Sequence, residues 1–293
     1  MAGSRYQYVK KFELPDPILP GTFMVLRIDG HAFHRLSEVH KFAKPNDERA
    51  LQLMDHAARD VMNEYKDIVL AFGESDEYSF LFRKSTALYN RRQAKIVTTL
   101  TSLFTSSYVF NWSRYLPDTP LEYPPSFDGR IVVYPSQKEI RDYFSWRQAD
   151  THINNLYNTI FWALVQQGGE TTTQAHAILR GTVSGTKNEM LHSRFGINYN
   201  TIPARYRKGS VLVQERVCSL CSWIFELPPA SSDDLASTAG ETPGTPQQPE
   251  QAPSGSSKQK ASKKAHALTR IELHHCDIIG DEFWDQRPYL LAE

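Results

Sequence analysis

Two short acidic turns carry the residue types most able to do chemistry in this chain. Asp29-Gly30 closes an apolar run that ends in Arg27-Ile28, and Gly73-Glu74-Ser75-Asp76-Glu77 separates two further apolar runs. Carboxylates brought to one sheet edge repel each other unless a cation or a shared proton offsets the charge. Magnesium is the natural cation for hard oxygen ligands that keep positions open for phosphate. Gly30 lets the backbone approach closely, which makes its carbonyl a candidate third ligand beside Asp29 and Asp76. Glu77 lies on the same edge, although alternation along a strand should aim it to the other face. A pair of magnesium ions held this way activates an attacking oxygen and neutralises a leaving phosphate in an in-line displacement. Such phosphoryl transfer asks the protein mainly for positioning and charge stabilisation. Arg27, Lys44, Arg91, Arg92 and Lys95 are the cationic side chains that suit this task, with Arg91 and Lys95 spaced i,i+4 on one helical face. Taken singly, each acidic turn is an ordinary turn signal and Arg91-Arg92 an ordinary solvated face. Their joint placement is what points to catalysis.

That placement depends on the elements around the turns. Periodicity predicts a strand over 22–28, a helix over 46–65, strands over 68–72 and 77–82, a long buried helix over 88–112 and a strand over 130–134. The order β-α-β-β-α-β is the ferredoxin-like split pattern, an α+β fold with an antiparallel sheet. In it the first and third strands are antiparallel neighbours, so the end of one lies beside the start of the other. Asp29 thereby comes next to Asp76. Further helices are expected over 137–147, 151–167, 173–179 and 187–195, followed by a strand near 210–217. We read 1–227 as a catalytic domain with helical additions. Residues 228–265, dominated by Pro, Ser, Gln, Gly, Ala and Thr, form a disordered insert. Residues 266–293, with Ile271, Ile278-Ile279 and Phe283-Trp284, are expected to pack back on the body.

Composition bounds the rest. The chain has 293 residues, 40% of them hydrophobic, which is ample for a large core. Lys plus Arg and Asp plus Glu number 33 each, so a nucleic-acid partner must be met by a local basic surface. Three cysteines argue for a reducing compartment, here a cytoplasmic one with nuclear and mitochondrial pools left open. The polar N-terminus resembles no signal peptide, and no apolar run reaches membrane-spanning length. Cys218 and Cys221 have zinc-ligand spacing that His274, His275 or Cys276 would complete, but ordinary packed cysteines are the expectation.

Longer stretches resemble one family, the histidine-tRNA guanylyltransferases, which are reverse-direction (3′-5′) polymerases. The matching stretches are Arg27-Ile28-Asp29-Gly30 with Phe33-His34, Phe42-Ala43-Lys44-Pro45-Asn46-Asp47, the run Ala71 to Phe80, Asn90-Arg91-Arg92, Asp150 to Thr159, and Gly196 to Asn200. The resemblance implies a polymerase-like palm, two Mg2+ ions on Asp29, Asp76 and the Gly30 carbonyl, and a homotetramer. It implies adenylylation of the tRNA 5′ phosphate by ATP, attack by the 3′ hydroxyl of GTP with loss of AMP, and removal of pyrophosphate. The nucleotide site it implies comprises Arg27, Asp29, Gly30, His31, Ala32, Phe33, His34, Lys44, Ser75, Asp76, Arg91, Arg92 and Lys95. Glu77 joins Asp29 and Asp76 as a candidate catalytic residue. His152, Asn154, Asn158, Lys187 and Asn198 become candidates for contacts to tRNA or to a second triphosphate. Read from the residues alone, the asparagines at the start of an apolar helix either cap it or bind a ligand.

Two other classes use the same architecture. Nucleotide cyclases place paired acidic residues on equivalent strands, and RNA-recognition modules share the strand order. The glycine-glycine-acidic pattern of diguanylate cyclases is missing from the central hairpin. Glu74, Asp76 and Glu77 on that hairpin would repel an RNA backbone unless metals intervened.

Overall fold

A computed structural model of the chain describes residues 4–216 and 269–292. Contacts gather residues 1–215 and 271–293 into one compact unit and 216–270 into another. Nearly all of the second unit, including the expected insert at 228–265 and the Cys218 and Cys221 pair, lies outside the described residues.

In chain order the elements are β1 (Phe23–His31), α1 (Phe33–Val39), α2 (Glu48–Glu64), β2 (Ile68–Glu74), β3 (Glu77–Phe82), α3 (Gln93–Phe110), α4 (Trp112–Tyr115), β4 (Ser126–Tyr134), α5 (Gln137–Gln166), α6 (Thr172–Leu179), α7 (Ser184–Phe195), α8 (Ala204–Lys208), β5 (Ser210–Arg216), β6 (Thr269–His274) and α9 (Asp281–Asp285). The strands form one sheet in the order β4-β1-β3-β2-β5-β6. Its first four strands are the ferredoxin-like arrangement, and β1 runs antiparallel to both β3 and β4. The protein is α+β, as the alternating pattern predicts.

Strand alternation sorts the core into two layers. Met24, Leu26 and Ile28 of β1 join Tyr78, Phe80 and Phe82 of β3 beneath α2 and α3. Phe23 and Val25 face the other way, toward Ile140 and Phe144 of α5 and toward Ile278, Phe283 and Trp284 of the C-terminal segment. A third cluster joins the second half of α5 to α6 and α7 through Leu156, Ile160, Leu164, Leu179 and Leu191. Helix α2 starts where Asp47 caps it, accepting from the backbone N–H of Arg49.

The strand expected over 130–134 begins at Ser126 and the helix expected over 187–195 at Ser184, and two boundaries differ more deeply. The helices expected over 137–147 and 151–167 are one helix of 30 residues. The polar run between them reads as a break, yet Arg147 and Gln148 are buried and find partners inside the fold. The helix expected over 88–112 begins only at Gln93, because Tyr89, Asn90 and Arg91 adopt left-handed backbone angles. The Arg91 guanidinium draws the chain out of helix by donating to the carbonyls of Ile18, Leu19, Thr22 and Thr86.

Gln148 shows how the C-terminal segment is held. Its Nε2 donates to the carbonyls of Lys208 and Cys276, and its Oε1 accepts from the N–H of Ile278. Removing an amide that satisfies three buried backbone groups costs about 1–3 kcal/mol. Gln148→Leu is expected to lower stability by that amount in urea denaturation; an unchanged midpoint would refute this role.

Candidate active site

The site is built at the end of β1. Antiparallel register pairs Asp29 with Glu77, and β4 places Asp128 on Asp29's other side. Opposed residues in a ladder share a face, so Glu77 stands on the face of Asp29. Glu77 thus alternates away from Asp76 as expected, but Asp29 goes with it, which corrects the expectation that Asp29 and Asp76 share a face. Arg27, two residues before Asp29, reaches both carboxylates, at 2.9 Å from Asp29 and 2.6 Å from Glu77. Arg147 of α5 grips Glu77 from beyond at 3.1 Å and Asp150 at 3.1 Å. Burial raises the Glu77 pKa, opposed by Arg147 and Arg27 and assisted by Asp29.

Asp76 sits in the two-residue turn between β2 and β3, after Ser75, which holds a left-handed φ of 48°. The carbonyl of Asp76 accepts from the Gly30 N–H at 3.0 Å, which stitches the two acidic turns together. Their side chains serve different faces of the sheet edge. Asp29 turns toward Arg27, whereas Asp76 lines a cleft on the α3 side with His34 and Tyr108. The sequence expects the carboxylates side by side; the register places Glu77, not Asp76, opposite Asp29. Asp76 still feels its neighbour. Its pKa is raised, by burial first and also by the Asp29 charge, with the Ser75 hydroxyl and His34 acting the other way.

The turn requires glycine twice. A Cβ on Gly30 would lie 2.4 Å from the Phe33 ring, and one on Gly73 would lie 2.3 Å from the Tyr78 ring. Ala32, at φ 57°, reverses the chain from β1 into α1. His31 and Ala32 are exposed at this corner, and Phe33 and His34 open α1 against the cleft.

The cleft encloses about 610 Å3. It is lined by Phe33, Phe42, Lys44 and Asp47 from the segment around α1 and α2, by Ser75, Asp76 and Tyr108, and by Tyr157, Phe161, Trp162 and His176 from α5 and α6. Lys44 donates to the Ser37 hydroxyl at 2.9 Å. Burial opposes ionisation of Asp47, but hydrogen bonds from Arg49 and the Ala43 N–H hold its pKa below the usual carboxylate value. A smaller adjoining cavity of about 100 Å3 is lined by Glu74, Ser75, Asn154, Asn155, Asn158 and Arg205. Burial pushes Glu74 up to about 7 there, against the Thr151 hydroxyl and Arg147.

Of the cations expected near the carboxylates, Arg27 and Lys44 are there and three others are not. Arg91 is bonded at the start of β1, seven residues and thus roughly 20 Å from Asp29 along an extended strand. Arg92 pairs with Asp16 and Glu13, and Lys95 lies 4.8 Å from the centroid of the Tyr89 ring. Arg91 and Lys95 also share no helical face, since α3 starts between them. Arg91→Lys is accordingly expected to cost about 2 kcal/mol of stability through lost charged hydrogen bonds. Nucleotide affinity of the folded variant should stay unchanged, and a large loss in affinity at unchanged stability would restore the binding role.

The α5 candidates divide. Asn154 and Asn158 are exposed and line the cavities, whereas buried Asn155 bridges Asn46 and the Tyr199 hydroxyl. His152 packs edge-on against Tyr199, its pKa lowered by burial and by Lys208 and Arg207. Lys187 donates to the Thr182 carbonyl, and Asn198 caps the turn at Tyr199–Thr201. Sequence reasoning did not single out Asp47, Tyr108, Arg147, Trp162 or His176. Only the cap position of Asp47, before an apolar-periodic run, was a usable signal.

Among the described residues no group of three or more His, Cys, Asp or Glu side chains converges as a metal cluster. Asp76 nevertheless fits a divalent cation. It is a desolvated hard-oxygen donor without an ion-pair partner among the described residues, beside a second carboxylate whose charge it opposes. His275 bonds the Gly209 carbonyl, whereas His274 Nε2 lies 3.8 Å from Glu215 without a hydrogen bond among the described residues.

Residues 6–135 match the family model described as tRNAHis guanylyltransferase, and residues 138–280 match the Thg1 C terminal domain. The chain is similar to a tRNA(His) guanylyltransferase of Schizosaccharomyces pombe, at 48% identity over 290 residues, covering 99% of this chain and 98% of that protein. It is similar in structure to the tRNA(His) guanylyltransferase of Saccharomyces cerevisiae, with a TM-score of 0.69 at 46% identity, over 76% of this chain and all of that one. A bacterial tRNA(His) guanylyltransferase-like protein in complex with ATP has the same fold, with a TM-score of 0.59 at 23% identity, over 71% of this chain and 84% of that one.

Proposed function

The chain belongs to the tRNAHis guanylyltransferase family, and we propose that it adds one guanylate to the 5′ end of histidine tRNA, using ATP and GTP. The observation that carries this reading is the seam between the two acidic turns, where the Gly30 N–H bonds the Asp76 carbonyl at the edge of a cleft large enough for a nucleotide.

The reaction has three steps with one shared demand. An oxygen of the tRNA 5′ phosphate attacks the α-phosphorus of ATP and pyrophosphate leaves. The 3′ hydroxyl of GTP then attacks the activated 5′ phosphorus and AMP leaves. Hydrolysis of the new 5′ triphosphate releases pyrophosphate and restores a 5′ monophosphate. Each step needs an in-line approach and relief of negative charge.

Asp76 and the Gly30 carbonyl, with Asp29 once it turns from Arg27, are the groups we assign to two Mg2+ ions, which would supply Lewis-acid polarisation of phosphoryl oxygens and charge neutralisation. Arg27 orients Asp29, and Glu77 in turn orients Arg27. Lys44 presents positive charge, and His34 a hydrogen-bonding ring, to phosphates in the cleft. Phe33, Phe42 and Tyr108 thin the water around them, which strengthens every charge interaction there. His31, Ala32 and Ser75 complete the proposed nucleotide contacts through the two turns. We assign tRNA contacts to exposed Asn154 and Asn158, and further contacts to His152, Lys187 and Asn198.

We also assign the chain to a homotetramer, supported by apolar side chains that a monomer leaves in water, such as Phe12 at 77%, Leu14 at 82% and Phe110 at 85% exposure. Among the described residues no helix is long and apolar enough to cross a membrane. The cysteine count supports a cytoplasmic compartment. The deciding assay supplies 5′-monophosphorylated histidine tRNA with ATP, GTP and Mg2+. Lengthening by one nucleotide at the 5′ end is the expected product, and cyclic nucleotide from GTP or ATP alone would overturn the assignment.

A further inference from the structure

The aromatic wall of the cleft is built unlike a packed core. Phe161 is buried and belongs to the α5–α6–α7 cluster, but Tyr157 and Trp162 are only half-buried and His176 is exposed. All four rings line the same cleft as Asp76. Tyr157 and Phe161, one helical turn apart, lie within 13° of parallel, and Tyr157 and His176 within 24°. The Tyr157 hydroxyl and His176 Nδ1 are 2.7 Å apart, which ties α5 to α6 and fixes both rings. Two lysines flank this surface. Lys44 Nζ lies 5.6 Å from the Trp162 ring centroid and Lys187 Nζ 5.9 Å from that of Tyr157. Each lysine is already aimed, by the Ser37 hydroxyl and the Thr182 carbonyl respectively.

Fixed aromatic faces held partly open beside oriented cations make a platform for a planar base with its phosphate. Packing alone would bury these rings, as it does Phe161.

We propose that Tyr157, Trp162 and His176 form a stacking subsite that seats the terminal nucleobase of the RNA 5′ end, separate from the seat of the nucleoside triphosphate. This rests on the activity proposed above. If the RNA 5′ phosphate reacts at Asp76, the base nearest to it is that of the same terminal nucleotide, and the aromatic rings line the same cleft as Asp76. The wall also continues along α5 into Asn154 and Asn158, which are assigned to RNA. The triphosphate is assigned to Phe33, His34 and Phe42, which line the same cleft from a different part of the chain.

The test compares two 5′-monophosphorylated RNAs by fluorescence anisotropy on the full chain, one intact and one with an abasic terminal nucleoside. GTP and ATP affinities are measured in parallel. For the wild type, loss of the terminal base is expected to weaken RNA binding about tenfold or more, the size of one stacked base. In a Tyr157→Leu/Trp162→Leu variant the intact RNA should bind as weakly as the abasic one, with GTP and ATP affinities unchanged. Equal wild-type affinity for both RNAs overturns the proposal, even if the variant fails to fold. A variant that loses GTP or ATP affinity but keeps its preference for the intact RNA places a mononucleotide base on the wall and overturns it too. Binding is read without turnover, so absence of guanylate addition by the wild type would sink the proposed activity and not this subsite.

Discussion

Asp76→Asn is expected to reduce guanylate addition by about a thousandfold or more, since in the proposed metal site it removes a ligand through which the cation would stabilise charge in the transition state. Folding should survive. Burial and the Asp29 charge both work against ionised Asp76, so a neutral amide of the same shape relieves strain in the protein alone. Thermal unfolding separates these effects. Mg2+ should raise the wild-type midpoint, because a ligand that binds only the folded state stabilises it by mass action. The variant should lose most of that increase while unfolding at or above the wild-type temperature without Mg2+. Addition within about tenfold of wild type would remove Asp76 from the metal site.

Arg147→Met is expected to destabilise the fold by about 3–5 kcal/mol, the usual consequence of leaving a buried charge without its partner. The Arg147 guanidinium is 3% exposed and bonds Glu77 through both carboxylate oxygens, at 3.3 and 3.1 Å, as well as Asp150. With it gone, Glu77 would share Arg27 with Asp29 and have no other cation. Urea denaturation at neutral pH measures the loss. Adding Glu77→Gln should recover part of it, because the amide needs no counter-charge. An Arg147→Met midpoint equal to wild type would show that the network contributes nothing. Addition should fall too, since Arg27 then holds Asp29 against a less anchored Glu77.

How far the site was legible depended on whether its determinants are local. The β2–β3 hairpin reads directly: two apolar runs of β type flank Gly73-Glu74-Ser75-Asp76, and the strands end within a residue or two of where that pattern ends. Asp29-Gly30 after an apolar strand is equally plain, and the ferredoxin-like order brings the two turns to one edge. Glu77 does alternate away from Asp76, but Asp29 was placed on the wrong side of that alternation because its orientation depends on which residue of β3 opposes it. Only the register with Glu77 decides that. Arg91 and Arg92 looked like a basic helical face because their spacing is helical. Carbonyls of residues 18 to 22, some seventy positions away in sequence, hold Arg91 instead.

The same distinction runs through the whole protein. Residue types alone pointed to an α+β alternation, two acidic turns at one sheet edge and membership of a family, because propensity, period and motif act over a few neighbouring residues. Tertiary structure decided the rest. It joined two expected helices into α5, buried Arg147 and Gln148 within it, turned Asp76 into a cleft away from Arg27, and raised an aromatic wall from α5 and α6 in the same cleft. Each of these depends on desolvation and on partners distant in sequence. Whether a charge is paired or stranded, and a ring covered or open, is fixed only when the chain has closed around it.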